Sequence, residues 1–292
     1  MVMLPEACLV PPVSVYGGML ALAWLAGWWL ARLRSRRLSI PVWHIDWLLP
    51  LLLVSAGLGS RLGGLLSQLA PDAVANDRVL FGGLVAGLAV AIAYGLTARI
   101  PLGRLADTFP VALATGIALL RVGCFFAGCC WGDLCAAPGR LEAVVDDPVW
   151  RRQVQTFPAL CRDDYPLAVR YPEASPAFYQ HLTAGLLPRG ADGSLPVHPV
   201  QLYEAVAVLA LGGLLVLIDR RLRRWGESFL VFALGYCAIR FVCEWFRADT
   251  RPWAGDLTPA QFICLIAAGL LALTWAARIG LSRRGHTELW RR

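Results

Sequence analysis

Three arginines stand inside apolar runs of this 292-residue chain: Arg61, Arg121 and Arg240. A guanidinium at the centre of a bilayer costs roughly 3 kcal/mol on insertion scales, so each needs a partner, a route to the interface or a ligand. Arg240 has Glu244 four residues later and Tyr236 four residues earlier. That spacing puts all three on one helix face, where Arg240 and Glu244 can pair. A Tyr-Arg-Glu stripe of this kind faces a bundle interior or a cavity, not lipid. It reads either as a buried structural ion pair or as one wall of a polar cavity in which Arg121 and Arg240 hold an anionic headgroup. The arginine fork suits phosphate because it donates two parallel hydrogen bonds. Arg61, in Gly59-Ser60-Arg61-Leu62-Gly63, is close enough to the end of its run to snorkel as an anchor.

A second polar group opens a later run: His198-Pro199-Val200-Gln201-Leu202-Tyr203-Glu204. Pro199 fits the first turn of a helix. His198, Gln201, Tyr203 and Glu204 then line the mouth of that helix. Cysteines form a third group. Cys124, Cys129, Cys130 and Cys135 lie close together, with Cys161 further on. The spacing Cys-x4-Cys-Cys-x4-Cys is not a standard zinc pattern, and no metal is expected from it. A Cys135–Cys161 disulfide suits an oxidising compartment, and a thiol beside Arg121 has the surroundings of an activated one.

The elements that position these groups are membrane helices. Hydrophobic residues make up 58% of the chain, charged residues 16%, and the mean hydropathy is +0.57. A soluble domain carries about 25% charge. The expectation is an all-α polytopic membrane protein. Seven apolar runs are long enough to cross a hydrocarbon core of about 30 Å. They cover residues 14–31, 46–66, 79–98, 108–127, 199–218, 228–246 and 258–277. The net charge of +7 comes from arginine alone, since there is no lysine. The arginines cluster between the runs, which is a topology signal and excludes a nucleic-acid surface. Segments 32–45, 99–107, 219–227 and 278–292 hold fifteen, against Arg78, Arg247 and Arg251 in the short segments of the other side. The positive-inside rule then puts the N-terminus outside and the C-terminus in the cytoplasm. Residues before the first run carry no Lys or Arg, so that run reads as a retained helix. The long 128–197 connection lies outside. Its prolines and its aromatics, Trp150, Phe157, Tyr165, Tyr171, Phe178 and Tyr179, predict a small folded cap inserted in a single membrane domain.

These blocks resemble the prolipoprotein diacylglyceryl transferase family. Arg121-x-Gly123-x-Phe125, ending at Trp131-Gly132, is similar to that family's signature Gly-Arg-x-Gly-Asn-Phe-x-Asn-x-Glu-x-x-Gly. His198-Pro199-Val200-Gln201-Leu202-Tyr203-Glu204 is similar to its His-Pro-Ser-Gln-Leu-Tyr-Glu block. Tyr236-x3-Arg240-x3-Glu244-x-Phe246-Arg247, followed by Leu257-Thr258-x2-Gln261, is similar to its C-terminal block. Tyr16-Gly17, Gly59-x-Arg61 and Gly82-Gly83-Leu84 are weaker echoes. The blocks keep the family's order over most of the chain.

The resemblance implies transfer of diacylglyceryl from phosphatidylglycerol to the lipobox cysteine thiol of a preprolipoprotein, without a cofactor. The place implied is the outer face of a bacterial inner membrane. Arg121, Arg240 and Glu244 become the catalytic set, with both arginines on the phosphate and Glu244 orienting Arg240. Tyr16, Arg61, Gly123, Cys124, His198, Gln201, Tyr203, Glu204, Tyr236 and Arg247 become the substrate-binding set. The sequence also departs from the pattern. Phe81 replaces the histidine before Gly-Gly-Leu, a candidate general base, and Cys124, Ala127 and Cys129 replace Asn, Asn and Glu. Two other readings follow from these departures: a paralogue that binds phospholipid without this reaction or with another acceptor, and a cysteine-dependent redox or metal protein.

Overall fold

The computed structural model describes residues 2–3, 15–69, 75–135, 165–173, 175–183, 186–187, 190–222, 224–248 and 257–283. Helices occupy all seven apolar runs: α1 (Val15–Arg37), α2 (Val42–Leu69), α3 (Ala75–Thr97), a short α4 (Leu102–Ala106) leading into α5 (Pro110–Phe126), then α7 (Val200–Ile218), α8 (Glu227–Cys243) and α9 (Pro259–Arg283). α6 (Pro176–Thr183) lies in the long connection. Among the described residues, five segments are long and apolar enough to cross a membrane: Val42–Leu65, Leu102–Phe126, Val200–Arg221, Glu227–Phe246 and Pro259–Ala277. Gly82–Thr97 is a shorter apolar helix. α1 has the length, but Gly17, Gly18, Gly27, Trp24, Trp28 and Trp29 dilute its apolarity. The protein is thus a multi-pass membrane protein, and apolar side chains such as Trp47, Val206 and Leu217 cover its outer faces.

The helix ends differ from the sequence boundaries for identifiable reasons. α1 runs on to Arg37, because its terminal arginines complement the C-terminal helix dipole. The sixth run changes at Glu244 to a single 3-10 turn, Glu244–Phe246. α9 starts at a capping box. The Gln261 backbone N–H donates to Thr258 Oγ1 (3.3 Å), and the Thr258 N–H donates to Gln261 Oε1 (3.0 Å), with Pro259 at the first helical position.

Packing runs α2 on α3, α1 on α5, α5 on α7, α7 on α8 and α8 on α9. Ala114, Val208, Leu211, Leu215 and Phe232 form a buried cluster shared by α5, α7 and α8. A polar network ties the opposite end of the bundle. Arg34 Nε donates to the Asp107 carbonyl (2.5 Å), and its Nη2 to Asp219 (2.6 Å) and Ser228 (2.9 Å). Asp107 also accepts from the Gly226 (2.8 Å) and Phe229 (3.0 Å) backbone N–H groups at the start of α8. Arg34 therefore does more than mark topology: it joins α1 to the α4–α5 turn and to α8.

The described parts of the 128–197 connection pack together. Val169–Arg170 pairs in parallel with Val2–Met3, and bridges join Leu134 to Val197 and Pro172 to Gly193. Phe125, Trp131, Leu134, Val169, Tyr171, Ala177 and Val197 form their own buried cluster over the end of α5. Cys8, Cys161 and the Phe81 side chain lie outside the described residues, so the Cys135–Cys161 pairing stands as a sequence expectation.

Candidate functional site

One carboxylate gathers the two central arginines. Glu204 Oε2 lies 2.9 Å from Arg121 Nε and 3.5 Å from Arg240 Nη1, and Glu204 Oε1 accepts from the Tyr236 hydroxyl at 3.2 Å. Arg240 Nη2 lies 2.7 Å from Glu244 Oε2, as the i, i+4 spacing predicts. Arg247 Nε approaches the same oxygen at 3.9 Å. Glu244 Oε1 accepts from Thr258 Oγ1 at 3.2 Å. The hydroxyl that caps α9 therefore also holds Glu244. Gln261 Nε2 reaches back to the Phe241 carbonyl (3.3 Å) and fixes α9 against α8.

The electrostatics follow from a count. Three guanidinium groups, Arg121, Arg240 and Arg247, face two carboxylates, Glu204 and Glu244. The two acids are sealed, at 1% and 0% exposure, while Arg121 and Arg240 each keep 17% open. The open side of the cluster presents arginine. Such an arrangement is built for an anion that reaches two guanidinium forks in a poorly solvated place.

A backbone strap closes the site from above. Residues 131–135 cross the end of α5 and bond to both neighbouring blocks. The Gly132 N–H donates to His198 O (2.9 Å), Asp133 N–H to Phe246 O (2.7 Å), His198 N–H to Asp133 O (3.0 Å) and Cys135 N–H to Pro196 O (2.9 Å). Gly132 also bridges to Arg247. A Cβ at Gly132 would run into Val200 and His198, so only glycine lets the strap come this close.

The other expected residues fall around this centre. Gly123 lies under Tyr16, where a Cβ would sit 3.3 Å from the Tyr16 ring, so the aromatic rests on α5 directly. Gln201 Nε2 donates to the Cys129 carbonyl (2.7 Å) and the Tyr171 hydroxyl (3.0 Å). His198 Nδ1 lies 3.3 Å from the Tyr203 hydroxyl, which in turn donates to Tyr165 (3.2 Å). Among the described residues, His198 Nε2, Gln201 Oε1 and Trp131 Nε1 are buried and have no hydrogen-bond partner. Cys124 is buried at the end of α5, with its Sγ in a group with those of Cys129 and Cys130. Arg61 is the exception. It stands on an exposed face of α2 and joins none of these ion pairs. Thr258, Tyr165 and Tyr171 belong to the site, although the sequence reading places Thr258 only in a resembling block and the two tyrosines only among the aromatics of the cap. The Thr-Pro-x-Gln cap is the one local signal that points to Thr258.

Two histidines of this outer layer are neutral at pH 7. Burial lowers both His198 and His181 to about 4. His181 Nδ1 accepts the Leu195 backbone N–H at 3.2 Å, which fixes its neutral form. In the unfolded chain each would take up a proton below about pH 6.5. Stability is therefore complete above that pH and falls as pH drops towards 4, by at most about 3 kcal/mol per histidine. Thermal unfolding in detergent between pH 7 and 4 should show this loss. His181→Asn, which keeps an acceptor for Leu195, should remove part of the slope; an unchanged slope contradicts the assignment.

A family model described as prolipoprotein diacylglyceryl transferase matches residues 6–276. The chain is 28% identical over 291 residues to the phosphatidylglycerol–prolipoprotein diacylglyceryl transferase of Salmonella choleraesuis strain SC-B67, covering 92% of this chain and 91% of that one. It is 28% identical over 282 residues to the protein of the same name in Pectobacterium carotovorum subsp. carotovorum strain PC1, covering 90% and 89%.

Proposed function

The chain belongs to the prolipoprotein diacylglyceryl transferase family, and on that premise we propose that it moves diacylglyceryl from phosphatidylglycerol to the lipobox cysteine of a preprolipoprotein. The observation that carries this reading is the sealed pair Glu204 and Glu244 beneath three arginines, with Arg121 and Arg240 the open members. In this reading all seven helices span a bacterial inner membrane as one domain. The N-terminus and the 128–197 cap face outward and the C-terminus is cytoplasmic. The site then lies at the outer surface, where the acceptor arrives.

The chemistry is displacement at carbon. The lipobox thiol sulfur attacks the diacylglyceryl carbon that bears the phosphate. A C–S thioether forms, the C–O bond to phosphate breaks, and glycerol 1-phosphate leaves with the electron pair. Its charge goes from one to two negatives, and fixed guanidinium groups in a dry site favour that change. Arg121 and Arg240 are the residues that touch the phosphate. Glu204 and Glu244 are positioning residues that set the two forks. Arg247 adds charge, and Tyr16, Gly123, Cys124, His198, Gln201, Tyr203 and Tyr236 bound the pocket. Phe81 cannot accept a proton. The departing phosphate monoester, with a second pKa of about 6, can take the sulfur's proton once the forming C–S bond has made that proton strongly acidic.

The test is release of glycerol 1-phosphate by purified protein in phosphatidylglycerol-containing detergent. Release should require a lipobox peptide and stop when the peptide cysteine is replaced by serine. Release without peptide would point to a lipase-like hydrolysis and contradict the transfer.

A further inference from the structure

The three thiols at the end of α5 are not needed to hold a phosphate, and nothing in the displacement uses them as a group. Cys124, Cys129 and Cys130 place their sulfurs within 4.8 Å of one another. The fold, not the spacing, assembles them. Cys124 is in the last turn of α5, and the Cys129 N–H donates to the Cys124 carbonyl at 3.1 Å. The chain then doubles back through Gly128 (φ 63°) and Cys130 (φ 58°). A left-handed cysteine is strained and persists only where its surroundings fix it. Gln201 fixes this turn from α7 through the Cys129 carbonyl, at 2.7 Å.

We propose that Cys124, Cys129 and Cys130 form a three-coordinate thiolate site for a soft monovalent ion of the Cu(I) class. With metal–sulfur bonds of about 2.3 Å, a trigonal site needs its sulfurs about 4 Å apart, which small rotations about χ1 supply. The donors are three sulfurs with no His, Asp or Glu in the group among the described residues. Soft thiolates with low coordination favour Cu(I), whereas structural zinc takes four ligands. Binding releases three thiol protons to solvent and leaves a complex of charge −2. Arg247 and Arg121 both act electrostatically on Cys130 and offset that charge.

The experiment uses the reduced full chain, purified in detergent without oxygen and titrated with Cu(I) against a colorimetric Cu(I) chelator. One Cu(I) per chain is expected, with sulfur-only coordination by X-ray absorption. Cys124→Ser, Cys129→Ser and Cys130→Ser should each weaken it more than about 100-fold, beyond what loss of an outer-sphere partner costs. Cys237→Ser and Cys264→Ser should leave it unchanged. Unfolding temperatures of the serine variants separate loss of a ligand from loss of fold. Cu(I) retained in the triple serine variant, or a four-coordinate Zn(II) that Cu(I) does not displace, would overturn the proposal.

Discussion

Arg121→Ala and Arg240→Ala are each expected to lower diacylglyceryl transfer by at least about 100-fold, the usual cost of removing one fixed donor from a developing negative charge. The fold should survive each loss. Without Arg121, Glu204 keeps Arg240 at 3.5 Å and the Tyr236 hydroxyl at 3.2 Å. Without Arg240, Glu204 keeps Arg121 at 2.9 Å, and Glu244 keeps Thr258 Oγ1 at 3.2 Å and Arg247 at 3.9 Å. The damage from Arg121→Ala should therefore appear in kcat more than in the unfolding temperature, whereas Arg240→Ala also removes the closest partner of the buried Glu244 and should lower both. Lysine at either position should recover only part of the rate, because an ammonium is a point donor and lacks the paired N–H fork. Steady-state rates of glycerol 1-phosphate release for both alanine variants, measured beside their unfolding curves, check this. Full activity in either variant would remove that arginine from the phosphate site.

Glu244→Ala is expected to be the most destabilising single change in the site, by about 3–5 kcal/mol, because it removes the fully buried half of a close ion pair and leaves Arg240 only its longer 3.5 Å contact to Glu204. Glu244 is fully buried, and Arg240 at 2.7 Å and Arg247 at 3.9 Å both converge on one of its oxygens. Its other oxygen accepts from Thr258. The alanine variant would also free the start of α9 from α8. Glu244→Gln keeps a carbonyl for Thr258 and loses only the charge, so it should fold better than the alanine variant yet still misplace the Arg240 fork. Chemical denaturation in detergent distinguishes the two. Equal stability of Glu244→Ala and the unaltered protein would contradict the ion-pair reading.

The helices are legible in the sequence because lipid imposes a simple rule: about 20 apolar residues in a row, with arginine in the gaps. The Tyr236–Arg240–Glu244 stripe is legible because its parts are one helical turn apart. Glu204 is harder. The sequence places it at a helix mouth, but not at the centre of the cluster, since Arg121 and Arg240 are remote in the chain and meet it only through α5–α7 and α7–α8 packing. The strap at 131–135 is hidden for the same reason, because its hydrogen bonds use backbone atoms and leave only Gly132 as a sequence trace. Arg34 looks like one of many topological arginines, and its buried bonds to Asp107, Asp219 and Ser228 depend on segments far along the chain. The sequence shows four cysteines close together in the chain but not which three sulfurs meet, because a left-handed turn at Cys130 is not written in residue types.

The most direct measurement is mass spectrometry of a lipobox peptide after incubation with purified protein and phosphatidylglycerol. The account predicts a peptide carrying diacylglyceryl in thioether linkage on its cysteine, formed despite Phe81 and lost with Arg240→Ala. Unmodified peptide, from protein that binds phosphatidylglycerol and remains folded, would contradict the transfer and leave a lipid-binding member of the family.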